Sequence, residues 1–158
     1  MRVVAIQPDV PIAEVERSLA HLEDLIGQAA REHSPDAIFL PESMTTKNVY
    51  DRRMRDVARP LEGTPLEMLR RAARKHDCVV GGGYIAIRGA DTRGTYAVVE
   101  PDGTARFHDK DQPSFWENNY YSGGTDDGVM ETSLGTIGIA NGFEWGRTRT
   151  ARRMLGRV

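Results

Sequence analysis

The chain has 158 residues, which is long enough for one domain with its own hydrophobic core. Its net charge of −2 excludes a globally basic surface of the kind that attracts nucleic acids or anionic membranes. A single cysteine, Cys78, excludes an internal disulfide and is typical of a reducing compartment. No apolar run has the length of a signal peptide or a membrane span. We therefore expect a cytoplasmic protein without a membrane or nucleic-acid partner.

The first forty residues predict a strand, a helix and a second strand. Residues 3–6 form a short β-branched apolar run, and residues 37–40 form another. Between them, apolar residues spaced by three and four mark one face of an amphipathic helix over about 12–32. Such a βαβ unit places ligands at the carboxyl ends of its strands.

Glu42 stands at such a strand end, directly after the apolar run 37–40. A carboxylate in this position is partly desolvated, which raises its pKa toward the range of a general base. The alternative is a glutamate that caps the next loop or pairs with an arginine. Position alone leaves both interpretations open.

The middle of the chain predicts one more helix and three more strands. Gly63-Thr64-Pro65 is typical of a helix start, and the apolar stripe that follows ends near His76. The strands lie at residues 78–87, 96–100 and 104–107, and the last two are joined by the turn at Pro101-Asp102-Gly103. Three glycines inside the first of these strands indicate close backbone approach or a bulge. Cys78, in apolar surroundings, is expected to be an inert core thiol.

The segment from His108 to Gly124 concentrates titratable and aromatic side chains, including Lys110 and Glu117. Pro113 blocks a helix through this point, so we predict an irregular loop that ends in a flexible turn at Gly123-Gly124. Loops of this composition often carry chemistry, but a solvated loop with a small aromatic cluster is an equal alternative. After it we predict a hairpin of residues 129–132 with 136–140, and an arginine-rich helix over 146–155.

The order and spacing of these pieces resemble the nitrilase superfamily of carbon–nitrogen hydrolases, over essentially the whole chain. The first signature is Phe39-Leu40-Pro41-Glu42, and the central strand carries Gly81-Gly82-Gly83-Tyr84. The resemblance continues through the segment 106–121 around Lys110 and the segment 138–153 around the family's nucleophile position. It implies a four-layer α-β-β-α sandwich and a single carbon–nitrogen hydrolase domain over residues 1–158.

By this resemblance, Glu42 matches the general base, Lys110 the charge-stabilising lysine and Glu117 the second glutamate. In the family a cysteine thiolate attacks an amide or nitrile carbon, and the lysine ammonium stabilises the tetrahedral intermediate. The chemistry needs no metal and no cofactor. The implied partners are a small-molecule amide or nitrile substrate and other copies of the chain in a homo-oligomer.

The chain departs from the family pattern in two places. At the nucleophile position it reads Gly142-Phe143-Glu144, so the aromatic residue and the acid are present but the cysteine is replaced by glycine. The chain also stops at Val158, where the family continues into more sheet and helix, so we expect a fold that is incomplete at its C-terminus.

Three functions therefore compete at this stage. The first is a hydrolase that cleaves non-peptide carbon–nitrogen bonds, with little or no covalent catalysis because glycine cannot attack. The second is a truncated pseudoenzyme that binds small amides or serves as an oligomerisation partner. The third, a nucleic-acid binder that uses its arginine-rich helix, is disfavoured by the acidic balance of charge.

Overall fold

A computed structural model describes residues 1–158, and the chain begins with the predicted βαβ unit. Strand β1 (Val3–Ala5) and strand β2 (Ala37–Phe39) are parallel neighbours, joined by helix α1 (Val15–His33). The stripe predicted from spacing is buried on α1, including Leu22 and Ile26 with no exposed surface. Burial of this apolar face is what fixes the helix on the sheet.

The remaining elements complete a six-stranded sheet and a separate hairpin. These elements are β3 (Arg59–Pro60), α2 (Thr64–His76), β4 (Val79–Arg88), β5 (Asp91–Val99), β6 (Ala105–Asp109), β7 (Val129–Thr132), β8 (Gly135–Gly138) and α3 (Thr148–Met154). The sheet has the order β1-β2-β4-β5-β6, and β3 also pairs with β4. Neighbours among its first three strands in this order are parallel, while β5 is antiparallel to both β4 and β6.

The two faces of the large sheet are covered by different layers. Val80 and Val99 point into the cluster formed with α1 and α2, whereas Val79 and Val98 point into a second cluster with Met130 of β7. This alternation follows from the period of two along a strand. Helices α1 and α2 therefore lie on one face and the β7–β8 hairpin on the other, and the mixed α/β class is confirmed. The second sheet contains only these two strands, and α3 reaches the hairpin through Met154, beside Gly138.

The glycine run in β4 explains how Glu42 is placed. The Gly83 N–H donates to the Pro41 carbonyl at 3.1 Å, and the Met44 N–H donates to the Gly83 carbonyl at 2.9 Å. The loop after β2 thus crosses directly over β4, and a Cβ at Gly83 would lie only 2.1 Å from the Glu42 carbonyl oxygen. The close backbone approach predicted for this strand is confirmed, and it fixes the backbone of Glu42 against the sheet.

The segment from His108 to Gly124 is more regular than the sequence predicts. Strand β6 continues through His108 and Asp109, and a short 3₁₀ helix spans Phe115–Asn119. The predicted flexible turn at Gly123 and Gly124 is wrong. A Cβ on Gly123 would lie 2.3 Å from the Asp111 carbonyl oxygen, and one on Gly124 would lie 2.4 Å from that of Asp109, so these glycines allow two chain segments to pack closely.

The C-terminal elements are shorter than predicted. The hairpin pairs Thr132 with Gly135, so its turn consists of residues 133–134. The final helix α3 covers Thr148–Met154, because the preceding residues form a 3₁₀ helix over Gly142–Gly146. None of the helices combines the length and the apolar character needed to cross a bilayer.

Candidate active site

The structure brings Glu42, Lys110 and Glu117 together although they are far apart in the sequence. The Lys110 Nζ donates to Glu42 Oε1 at 2.6 Å and to both carboxylate oxygens of Glu117, at 2.8 and 3.1 Å. The Lys110 side chain is 1 % exposed and that of Glu117 is 4 % exposed. Glu42 stands at the carboxyl end of β2, and Lys110 immediately follows β6. The sheet therefore presents a buried ammonium between two carboxylates.

Position 142 faces the same centre. Gly142 has φ of +53°, and a Cβ built on it would lie 2.6 Å from Glu42 Oε2 and 3.0 Å from Lys110 Nζ. Any side chain at this position would point directly between the carboxylate and the ammonium. All four residues singled out in the sequence thus meet in space, but the fourth offers no nucleophilic atom. Cys78 is not a substitute, because it is buried in the core between the helices and the sheet.

Burial and ion pairing act in opposite directions on these groups. Desolvation is the largest influence on Glu42 and raises its pKa, although Lys110 opposes this. Burial also disfavours the Lys110 ammonium and the Glu117 carboxylate. Their mutual hydrogen bonds outweigh it, so the pKa of Lys110 is raised and the pKa of Glu117 is lowered. Glu117 is therefore held as an anion, and Glu42 is the carboxylate closer to proton exchange.

Asn48 could not be singled out from the sequence, although it contacts Glu117 directly. Its Nδ2 donates to Glu117 Oε1 at 2.6 Å, and its Oδ1 accepts from Trp116 Nε1 at 3.3 Å. Asn48 lies 69 positions before Glu117 in a polar loop, so only the tertiary fold brings the two together. The contact fixes both a site carboxylate and an aromatic ring at the mouth of the site.

A second buried network lies beside the first and was also missed. His108 is 2 % exposed, and its Nε2 lies 3.0 Å from Glu144 Oε2. Its Nδ1 forms a second hydrogen bond, with Asp126 Oδ1. Burial alone would lower the pKa of His108, but the bonds to Asp126 and Glu144 outweigh this and raise it to about 9. The imidazole is therefore a buried cation at neutral pH.

This network predicts that stability falls at alkaline pH. The pKa of His108 is raised from 6.5 to about 9, so its contribution is complete below pH 6.5 and is lost as pH rises through about 9. The shift corresponds to up to about 3 kcal/mol of unfolding free energy. Urea unfolding at pH 6.5, 8 and 10 measures the loss.

The His108→Gln variant supplies the comparison for this pH series, because it cannot titrate. We expect its stability to change much less between pH 6.5 and 10. Burial raises the pKa values of Asp126 and Glu144, but the hydrogen bonds lower them overall, so the same contacts are also lost in acid. An identical alkaline fall in both proteins would contradict the assignment of this titration to His108.

Two cavities meet at Gly142 and Glu42. One has a volume of about 310 Å³ and is bounded by the site groups and by aromatic rings: Glu42, Asn48, Lys110, Ser114, Phe115, Trp116, Glu117, Gly142 and Phe143. Phe115 contacts both Trp116 and Phe143, with ring centroids 6.0 and 5.9 Å apart. The other, of about 380 Å³, is lined by Phe39, Glu42, Tyr96 and residues 137–142, which are the end of β8 and the segment after it. Nowhere in residues 1–158 do three or more His, Cys, Asp or Glu side chains group as metal ligands would.

The family model for carbon–nitrogen hydrolases matches residues 2–156 of this sequence. The chain belongs to the carbon–nitrogen hydrolase family. This confirms the resemblance stated from the signatures around Glu42 and Lys110. No curated protein sequence matches the chain.

Solved structures of carbon–nitrogen hydrolases share the fold. A carbon–nitrogen hydrolase from Helicobacter pylori superposes with a TM-score of 0.84 over 96 % of this chain and 55 % of that one, at 20 % identity. A CN-hydrolase superfamily protein from Xanthomonas campestris gives 0.76 over 87 % and 51 %, at 18 % identity. Nit3 of Saccharomyces cerevisiae, a nitrilase superfamily member, gives 0.72 over 87 % and 54 %, at 21 % identity.

The chain spans about half the length of these carbon–nitrogen hydrolase structures. At this level of identity the likeness establishes the fold. What the chain does with its site is therefore argued from its own residues.

Proposed function

We propose that this chain binds a small amide at the Glu42–Lys110–Glu117 site and does not hydrolyse it through a covalent intermediate. The observation that carries the proposal is the position of Gly142. Its missing side chain would point between Glu42 Oε2 and Lys110 Nζ, so the general base and the cation are retained and the nucleophile is not. Covalent hydrolysis of an amide or nitrile, the first function considered from the sequence, requires that nucleophile.

The groups around the cavity are complementary to a primary amide. Lys110 offers an ammonium to a carbonyl oxygen, and no donor of the chain bonds to Glu42 Oε2, which is free to accept an amide N–H. The cavity of about 310 Å³ is at the small end for ligand sites. Phe115, Trp116 and Phe143 supply apolar walls, which favours an amide with an apolar or aromatic substituent.

The test is a titration of the full chain with benzamide, followed by heteronuclear NMR. Benzonitrile and benzoate serve as ligands of similar shape that lack the amide donor. We expect benzamide to shift the resonances of residues around Gly142 and to bind more tightly than either analogue. Glu42→Gln should weaken benzamide binding about tenfold or more, because a charge-assisted hydrogen bond is worth about 1.5–3 kcal/mol.

Glu67→Gln is the matched control, because it makes the same chemical change on an exposed face of α2. The absence of benzamide binding would overturn the proposal. So would release of benzoate and ammonia by the unmodified chain at a rate abolished in Glu42→Gln, which would favour an active hydrolase. A homo-oligomeric state, a cytoplasmic location and a single domain over residues 1–158 remain predictions from the sequence.

A further inference from the structure

His108 joins two parts of the chain that carry the site. It lies in β6, two residues before Lys110, and its Nε2 lies 3.0 Å from Glu144, two residues after Gly142. The second nitrogen bonds to Asp126, in the segment that leads to β7. Both ring nitrogens are therefore engaged by carboxylates from different segments, although His108 contributes no atom to the cavity at Gly142.

Glu144 connects His108 to the backbone on either side of the site. One of its oxygens accepts the backbone N–H of Asn141 at 2.7 Å, and the other accepts the N–H of Asp111 at 2.8 Å. Asn141 directly precedes Gly142, and Asp111 directly follows Lys110. A single carboxylate therefore holds both the turn at Gly142 and the segment at Lys110, and its side chain is only 2 % exposed.

A buried carboxylate needs a cation or several donors to remain ionised. His108 is the cation that faces Glu144, and its other neighbour is the Asp126 carboxylate. The arginines in this region pair with Asp111 instead: Arg149 at 2.7 Å, Arg153 at 3.4 Å and Arg147 at 3.9 Å. Arg153 also donates to the Asp126 backbone carbonyl at 3.2 Å. No other cation is paired with Glu144, so loss of the imidazolium leaves its charge without a counterion.

We propose that His108 is a positioning residue, which holds the turn at Gly142 against the Glu42–Lys110 pair by bridging Asp126 and Glu144. The effect is on geometry: the residue at position 142 is kept where its side chain points between a carboxylate and an ammonium. This inference does not depend on which ligand the site binds.

A cysteine at position 142 can report on that geometry. In the full-length G142C chain, the rate of alkylation by iodoacetamide at neutral pH measures how accessible and reactive the thiol is. The midpoint of the rate plotted against pH measures the pKa of the thiol. We expect His108→Gln in this background to slow alkylation at neutral pH at least about tenfold, since displacements of about 1 Å at reacting groups cost up to about a hundredfold. The midpoint should move to higher pH, because a nearby positive charge is removed.

His21→Gln in the same G142C background is the matched control, because it makes the same change on an exposed position of α1. Its alkylation rate and midpoint should equal those of G142C alone. If His108→Gln folds and leaves both quantities unchanged, the inference is wrong.

A second variant decides the question if His108→Gln does not fold. Asp126 is 39 % exposed, so Asp126→Asn is better tolerated, yet it removes one of the two carboxylates that hold the imidazolium. We expect alkylation of its G142C form to slow about three- to tenfold with the fold intact. A rate equal to that of G142C alone would overturn the positioning role.

Discussion

Replacing Gly142 with cysteine is expected to give a chain that forms a covalent acyl adduct at position 142. The new Cβ would start 2.6 Å from Glu42 Oε2 and 3.0 Å from Lys110 Nζ, so the ends of both flexible side chains must move aside. They would then flank the thiol, where Glu42 can take its proton and Lys110 can stabilise the oxyanion. We expect acylation by 4-nitrophenyl acetate to rise at least about a thousandfold over the native chain, since loss of a nucleophile costs several orders of magnitude. Mass spectrometry of the intact chain and of its peptides locates the acetyl group.

The Gly142→Ala variant controls for the backbone. The φ of +53° penalises any side chain by about 1–2 kcal/mol, and the new Cβ must displace the ends of Glu42 and Lys110, whatever its chemistry. Alanine carries both costs but has no thiol, so we expect no adduct at position 142. If G142C folds but, like the alanine variant, carries no adduct at position 142, a thiol at this position does not react beside Glu42 and Lys110. The assignment of Gly142 to the nucleophile position then fails.

Replacing Lys110 with alanine is expected to destabilise the fold by about 3–5 kcal/mol, because it leaves two carboxylates facing each other without their cation. The Lys110 and Glu117 side chains are almost fully buried, and only Glu42 reaches solvent, with 23 % of its side chain exposed. A loss of this size is a large fraction of the 5–15 kcal/mol that stabilises a typical domain. Urea unfolding at pH 7 measures it directly.

Two further variants separate this effect from a general effect of removing a lysine. Lys47 pairs with Asp9 at 2.9 Å on the surface, so Lys47→Ala should cost less than about 1 kcal/mol. Adding Glu117→Gln to Lys110→Ala removes one of the two carboxylate charges that have lost their cation, so it should restore part of the stability. A cost below about 1 kcal/mol for Lys110→Ala would mean that the ion pair is solvated in solution.

Much of the fold could be predicted because local pattern and tertiary packing agree. The alternation of strand, helix and strand at the N-terminus, and the apolar stripes of α1 and α2, follow from burial at fixed periods. The errors lie where packing overrides local signals. Gly123 and Gly124 resemble a flexible turn in sequence, but the chain uses them for close contact with the carbonyls of Asp109 and Asp111.

The candidate site likewise contains residues that the sequence pointed to and one that only the fold revealed. Glu42, Lys110, Glu117 and Gly142 could be singled out because they match short motifs of the family that the sequence resembles, and the structure brings them together. Asn48 carries no such signature, and its role rests on a contact with Glu117 across 69 positions. Long-range polar contacts of this kind depend on side-chain directions that no local period encodes.

By itself, the sequence determined the family, through the order and spacing of its short motifs, and the mixed α/β class, through its apolar periodicity. The resemblance to the family also predicted Glu42, Lys110, Glu117 and Gly142 as the site positions, with glycine where the family has a cysteine. Only the tertiary structure decided how the groups interact. It shows that Lys110 lies between Glu42 and Glu117, and that His108 is a buried cation which links Asp126 to Glu144. These properties depend on burial and on distances of about 3 Å between segments far apart in the chain, and both exist only once the sheet has formed.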